Sequence, residues 1–184
     1  EFSKNYLSYF SPRFLFLKGG TQYQFSVPES SLLYLINLPF FYLGLILVIF
    51  RAFKKKKYRF ILLWFLLSPI PASLTNEHFA VLRATPMLPL PQLLIALGFY
   101  EVLIKLRKAQ RLIVLLIYVV LILFSLQKYL MNYFTNYRTD YSWSWQYGYK
   151  EIVNFAKENY DKYDTIIVSK KYGEPHEYFL FYWQ

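Results

Sequence analysis

The chain has 184 residues, 56% of them hydrophobic and 22% aromatic, with no cysteine and a formal net charge of +10. The missing cysteines exclude disulfide frameworks, thiolate-ligated zinc, iron–sulfur clusters and thiol nucleophiles, and 18 Phe with 19 Tyr exclude a disordered chain. A pI near 9.6 raises nucleic acid as a partner, so the position of the charge decides what it means.

The chain opens on Glu1 and Phe2 with no initiator Met, basic n-region or cleavage site. No signal peptide is legible, and a fragment of a longer polypeptide is expected. Residues 1–30, including NYLSYFSPRFLFLKGG, mix Tyr, Phe and Leu with Arg13 and Lys18 before a Gly-Gly break. Two arrangements suit this composition. It can lie in the membrane interface plane, or it can pack against other segments on the same side of the membrane.

Four apolar runs follow. Ser30 to Phe50 holds 21 residues without a charge, about 31 Å as a helix and enough to cross a hydrocarbon core. Phe60 to Asn76 is a second run, of 17 residues, with Pro69 and Pro71 expected to kink or unwind its far end. Ala84 to Tyr100 is a third, in which Pro86, Pro89 and Pro91 place the start of regular helix near Pro91. The fourth, Leu112 to Gln127, extends to Met131 if Lys128 snorkels. Any single run suits a buried helix of a soluble protein, but a chain this short cannot bury four all-apolar helices in water.

The loops orient this set. Residues 51–59, RAFKKKKYR, carry six basic residues and residues 105–111, KLRKAQR, carry four, with no acid in either. The positive-inside rule puts both loops in the cytoplasm of a multi-pass plasma-membrane protein and residues 1–30, 75–86 and 132–184 outside. These loops hold ten of the 21 Lys and Arg and none of the 11 acids, so the excess charge marks topology and nucleic acid loses its support as a partner.

The expected fold is an α-helical integral membrane protein: an outer interfacial segment at 1–30, four transmembrane helices over 31–131, and a small α/β extracytoplasmic tail over 132–184. In the tail, Tyr149, Ile152, Ala156 and Tyr160 share a helical face. Thr165 to Ser169 reads as a short β-branched strand, Gly173 to Pro175 as a turn, and HEYFLFYWQ as a helix begun by Pro175. The tail reads as incomplete at Gln184.

The chemistry-bearing stretch is SPIPASLTNEHFAVLRATPMLPLP, residues 68–91, with Asn76, Glu77, His78 and Arg83 between two proline-broken helix ends. Ionisable groups on irregular backbone at a membrane boundary suit a ligand with a polar head and an apolar tail. Arg83 is the only Lys or Arg in the loop, and its planar fork matches phosphate oxygens. His78 offers a further donor or a proton. Equally, Glu77 and Arg83 suit pairing with each other, and Glu77–His78 a solvated turn. No acidic pair with ligand spacing occurs, so the residues themselves assign no metal.

The order of a long span, a basic loop, a span ending in SPIPASLT, a loop with His78 and Arg83, and then MLPLPQLLIALGFY resembles the C-terminal half of bacterial membrane glycosyltransferases of the GT-C superfamily. The similarity is to the dolichyl-phosphate-mannose-protein mannosyltransferase-like and aminoarabinose transferase groups. The tail WQYGYKEIVNFAKENYDKYDTIIVSKKYGEP shares in it. The resemblance implies transfer of a sugar from a polyprenyl-phosphate carrier to an acceptor at the outer membrane face. It implies a catalytic Asp or Glu in a more N-terminal outer loop, so no catalytic residue is expected in this chain, and it leaves room for a divalent metal in the full-length protein. Arg83 matches the basic residue expected near the lipid phosphate, with His78 and Glu77 beside it. A competing expectation from the residues is a non-enzymatic membrane scaffold or lipid-handling subunit.

Overall fold

The computed structural model describes residues 1–75, 77–171 and 173–183. Asn76 of the polar loop and Gln184, where the tail reads as incomplete, lie outside them. The chain forms two compact units, Glu1–Met131 and Asn132–Gln184.

The first unit begins with helix α1 (Phe2–Ser8) and a wide helical turn at Arg13–Lys18, then an irregular stretch that a 3-10 turn at Leu35–Asn37 leads into α2 (Leu38–Ala52). After α3 (Lys56–Leu67) and the single turn α4 (Ile70–Ser73), a 3-10 segment at Leu82–Met87 precedes α5 (Leu90–Ile104) and the long α6 (Lys108–Asn132). Prolines set the ends. Pro39 and Pro91 occupy first-turn positions, where a missing N–H costs nothing. Pro69 and Pro71 follow α3, which stops at Leu67.

The core of this unit is aromatic and aliphatic. Phe41 of α2 meets Phe65 of α3 edge to face with ring centres 6.0 Å apart, and Phe10 meets Phe65 at 5.1 Å. Helices α2 and α5 cross where glycine faces glycine: a Cβ on Gly98 would overlap the Phe40 carbonyl, and one on Gly44 would overlap the Leu94 carbonyl. At their C-terminal ends Arg51 Nη2 donates to Glu101 Oε2 at 2.8 Å, so the two helices run in the same direction. Helix α6 is held by Tyr118, whose ring stacks on Phe99 with centres 4.3 Å apart and whose hydroxyl donates to Asn37 Oδ1 at 2.6 Å. No residue of α6 is buried.

Among the described residues two helices are long and apolar enough to cross a membrane, Leu35–Ala52 and Lys108–Asp140. This differs from the four expected from composition. The second and third apolar runs yield regular helices of only 12 and 15 residues, α3 and α5, about 18 and 22 Å long. Their prolines consume the rest of each run.

The second unit holds a wide turn at Tyr133–Tyr137, α7 (Arg138–Asp140), 3-10 turns at Ser142–Trp145 and Tyr160–Lys162, α8 (Tyr149–Glu158) and α9 (Pro175–Tyr182). It is helical, and the expected α/β arrangement is not found: the described residues contain no strand. Thr165 to Ser169 has the β-branched composition of a strand but no neighbour to complete a ladder, and Ile167 stands 90% exposed. The buried face of α8 is Tyr149, Val153 and Ala156, while Ile152 and Tyr160 are exposed. The buried stripe is i, i+4, i+7, in which Val153 takes the place expected for Ile152, and Tyr149 at its start stacks on Tyr178 of α9 with ring centres 4.6 Å apart.

Candidate functional site

The loop between α4 and α5 is not free-standing. The N-terminal segment packs against it, the second of the two arrangements its composition allowed. Asn5 Nδ2 donates to the carbonyls of Ser73 and Thr75 at 3.2 and 3.1 Å, which ties α1 to the end of α4. The Ala80 N–H donates to the Tyr9 hydroxyl at 3.0 Å. Phe79 takes a left-handed backbone conformation, φ 56°, that turns its ring inward. There it stacks on Phe14 and meets Tyr9 edge-on, at 5.2 and 6.4 Å. Burial raises the Tyr9 pKa above its ordinary 10, and Glu77 adds to this, whereas the Ala80 hydrogen bond and Arg83 act the other way.

On this aromatic floor stand the three residues the sequence singles out. Arg83 Nη1 and Glu77 Oε2 form an ion pair, both side chains 46% exposed. Gln22 Nε2 donates to the same carboxylate oxygen at 3.0 Å, and the Thr21 hydroxyl donates to the His78 carbonyl. The His78 ring lies against Phe79. Glu77 and Arg83 are therefore brought together, in the pairing that composition left open beside the phosphate-binding role, whereas the His78 ring joins Phe79 and not the pair. An exposed pair of this kind contributes at most about 1 kcal/mol. It commits one N–H of the Arg83 guanidinium, and among the described residues no other protein group occupies the fork's remaining donors.

Apolar clefts adjoin the loop. One of about 250 Å³ is lined by Ala84, Thr85 and Met87 from the turn that carries Arg83, together with Phe14, Leu33 and Pro91. Another, of about 670 Å³, runs among residues 25–37, α5 and α6, with Phe99, Tyr118, Asn37 and Gln92 on its walls. The half-exposed Arg83 thus stands on the turn that supplies three walls of the smaller cleft, Ala84, Thr85 and Met87, and itself lines neither cleft. Among the described residues no group of His, Asp and Glu side chains has metal-binding geometry.

Sequence reasoning missed Asn5, Tyr9, Thr21 and Gln22 as members of this platform, because each joins through contacts some 55 to 71 residues apart along the chain. The one local cue is Phe79, an aromatic set next to three polar residues. No known protein family, curated protein or solved structure matches the chain.

Proposed function

We propose that this chain is the membrane-embedded C-terminal part of a glycosyltransferase that moves a sugar from a polyprenyl-phosphate carrier to an acceptor at the outer membrane face. All four apolar runs cross or enter the bilayer of the plasma membrane in this proposal, the two short helices completed by their proline-bounded ends. Loops 51–59 and 105–111 are cytoplasmic and residues 132–184 lie outside. The observation that carries the proposal is the position of Arg83 on the turn Leu82–Met87, three of whose residues, Ala84, Thr85 and Met87, line an apolar cleft. A cationic fork on a turn that walls a hydrocarbon slot suits a phosphate head on an apolar chain.

Departure of a sugar from phosphate passes through an oxocarbenium-like state and leaves negative charge on the phosphate oxygens. Arg83 neutralises that charge, with His78 beside it, while a carboxylate outside this chain activates the acceptor. Glu77 holds the guanidinium in place before the donor binds and competes with it for the fork.

The test is transfer from a panel of polyprenyl-phosphate sugars by the full-length protein in vesicles. Arg83→Ala is expected to lower kcat/KM about 100-fold or more, and Glu77→Gln to lower KM. Unchanged transfer by the Arg83 variant removes it from the site. Labelling tests the orientation: a cysteine placed at Lys56 reacts only in permeabilised cells and one at Lys162 in intact cells, and the reverse pattern overturns the topology.

A second function, a lipid-handling or scaffold subunit, is favoured by the Glu77–Arg83 pair itself, which closes the site electrostatically. It predicts lipid binding without transfer from any donor in the panel.

A further inference from the structure

The ends of α2 and α5 bring together two basic loops that lie about 50 residues apart in sequence. The Arg51–Glu101 ion pair fixes those ends against each other at 2.8 Å. Glu101 is 17% exposed and already committed to Arg51, so it neutralises nothing further. Lys54 and Lys55 follow within one turn of Arg51, and Lys105 and Arg107 stand at a similar remove from Glu101. Lys56, Lys57, Arg59, Lys108 and Arg111 continue the patch on the first turns of α3 and α6.

All nine side chains are exposed, and none has a carboxylate partner among the described residues. Like charges held this close repel unless anions sit between them. The patch is also fringed by exposed apolar side chains, Phe53 at 80%, Phe60 at 64% and Ile104 at 46%. Cations interleaved with aromatic and aliphatic groups at the ends of apolar helices match the boundary between phosphate and acyl chain. A nucleic acid would take the cations and leave the apolar fringe in water.

We propose that the joined loops 51–59 and 105–111 form a binding site for anionic phospholipid headgroups, which bridge the α2–α3 and α5–α6 turns. The inference rests on the membrane location proposed above and is independent of any sugar transfer. A role in topology alone needs the charge on each loop. A lipid site needs the two loops side by side, which the Arg51–Glu101 pair provides.

The test uses the full chain in detergent micelles doped with phosphatidylglycerol or, at equal mole fraction, phosphatidylcholine, with thermal unfolding as readout. Phosphatidylglycerol is expected to raise the midpoint by about 5 °C or more over phosphatidylcholine when its concentration is far above half-saturation. That difference should shrink in 0.5 M salt, where the Debye length is only a few ångströms. Replacing Lys54–Lys57 by Gln should abolish the phosphatidylglycerol difference and leave the phosphatidylcholine midpoint in place, whereas replacement by Arg should keep both. Glu101→Gln, which breaks the pair that joins the loops while leaving every cation in place, should at least halve the difference, whereas a larger difference would mean that charge alone sets it.

Equal midpoints in the two lipids overturn the proposal. So does an equal rise with soluble glycerol phosphate, which assigns the patch to free phosphate, or with a short DNA duplex, which assigns it to nucleic acid. Recovery of the chain in the soluble fraction instead defeats the membrane location on which the proposal rests, and is told apart by fractionation before lipid is added.

Discussion

Helices α5 and α6 are both apolar along most of their length, yet their surroundings are opposite. Five residues of α5 are buried, Gly98 among them, and none of α6 is. The difference follows from small residues. Gly98 lets the α5 backbone approach the α2 backbone at Phe40 and Gly44, whereas residues 112–132 of α6 contain neither Gly nor Ala, half-bury one stripe that includes Tyr118, and leave Leu, Ile, Val and Phe exposed on the rest of the helix. Hydrophobicity states that a helix leaves water. Close approach of backbones states whether protein replaces the water.

The sharpest way to break this contrast is Gly98→Val. The added side chain would overlap main-chain atoms that have no freedom to move, so a loss of about 3 kcal/mol or outright failure to fold is expected in denaturant unfolding of the detergent-solubilised chain. A near-neutral result would mean that α2 and α5 do not cross there.

Tyr9→Phe is expected to cost about 1 to 2 kcal/mol, since it leaves the buried Ala80 N–H without its acceptor. It also carries a pH signature. Because the Tyr9 pKa is raised in the folded chain, its proton contributes stability that is complete below pH 10 and lost as pH climbs through the folded value. The phenylalanine variant should therefore lose less of its midpoint between pH 9 and pH 11 than the wild type does, and a parallel fall would place Tyr9 in water.

Smallest of all is Val120→Ala on α6, half-exposed and touching little, for which a change under about 0.5 kcal/mol is expected. A cost above 2 kcal/mol would mean that α6 is covered by protein.

The helix ends were legible in the sequence, because proline acts locally: Pro91 opens α5, Pro175 opens α9, and Pro69 follows the end of α3. The Glu77–Arg83 pair was legible as one of two alternatives because the two residues lie six apart in one loop. What escaped depends on partners distant in the chain. Nothing in the composition of Thr165 to Ser169 says that no second strand lies beside it, and nothing in the run around Gly98 names Gly44 as its neighbour. The choice of Val153 over Ile152 for the buried face of α8 is likewise not written in the helix's own apolar pattern, since both residues lie about one turn from Tyr149. The N-terminal segment was ambiguous in sequence because an aromatic, weakly basic stretch suits lipid and protein alike; Asn5 and Tyr9 bond to the distant loop, a contact that no local pattern announces.

The Arg51–Glu101 pair has a bearing on how the protein is made. A chain synthesised from its N-terminus places Arg51 at the end of α2 before Glu101 exists. When α5 follows, its single acid arrives where a counter-charge is already waiting, so the later helix enters as a neutral partner. The pair thus gives packing a direction, in which α2 presents the cation and α5, made later, docks its acid against it.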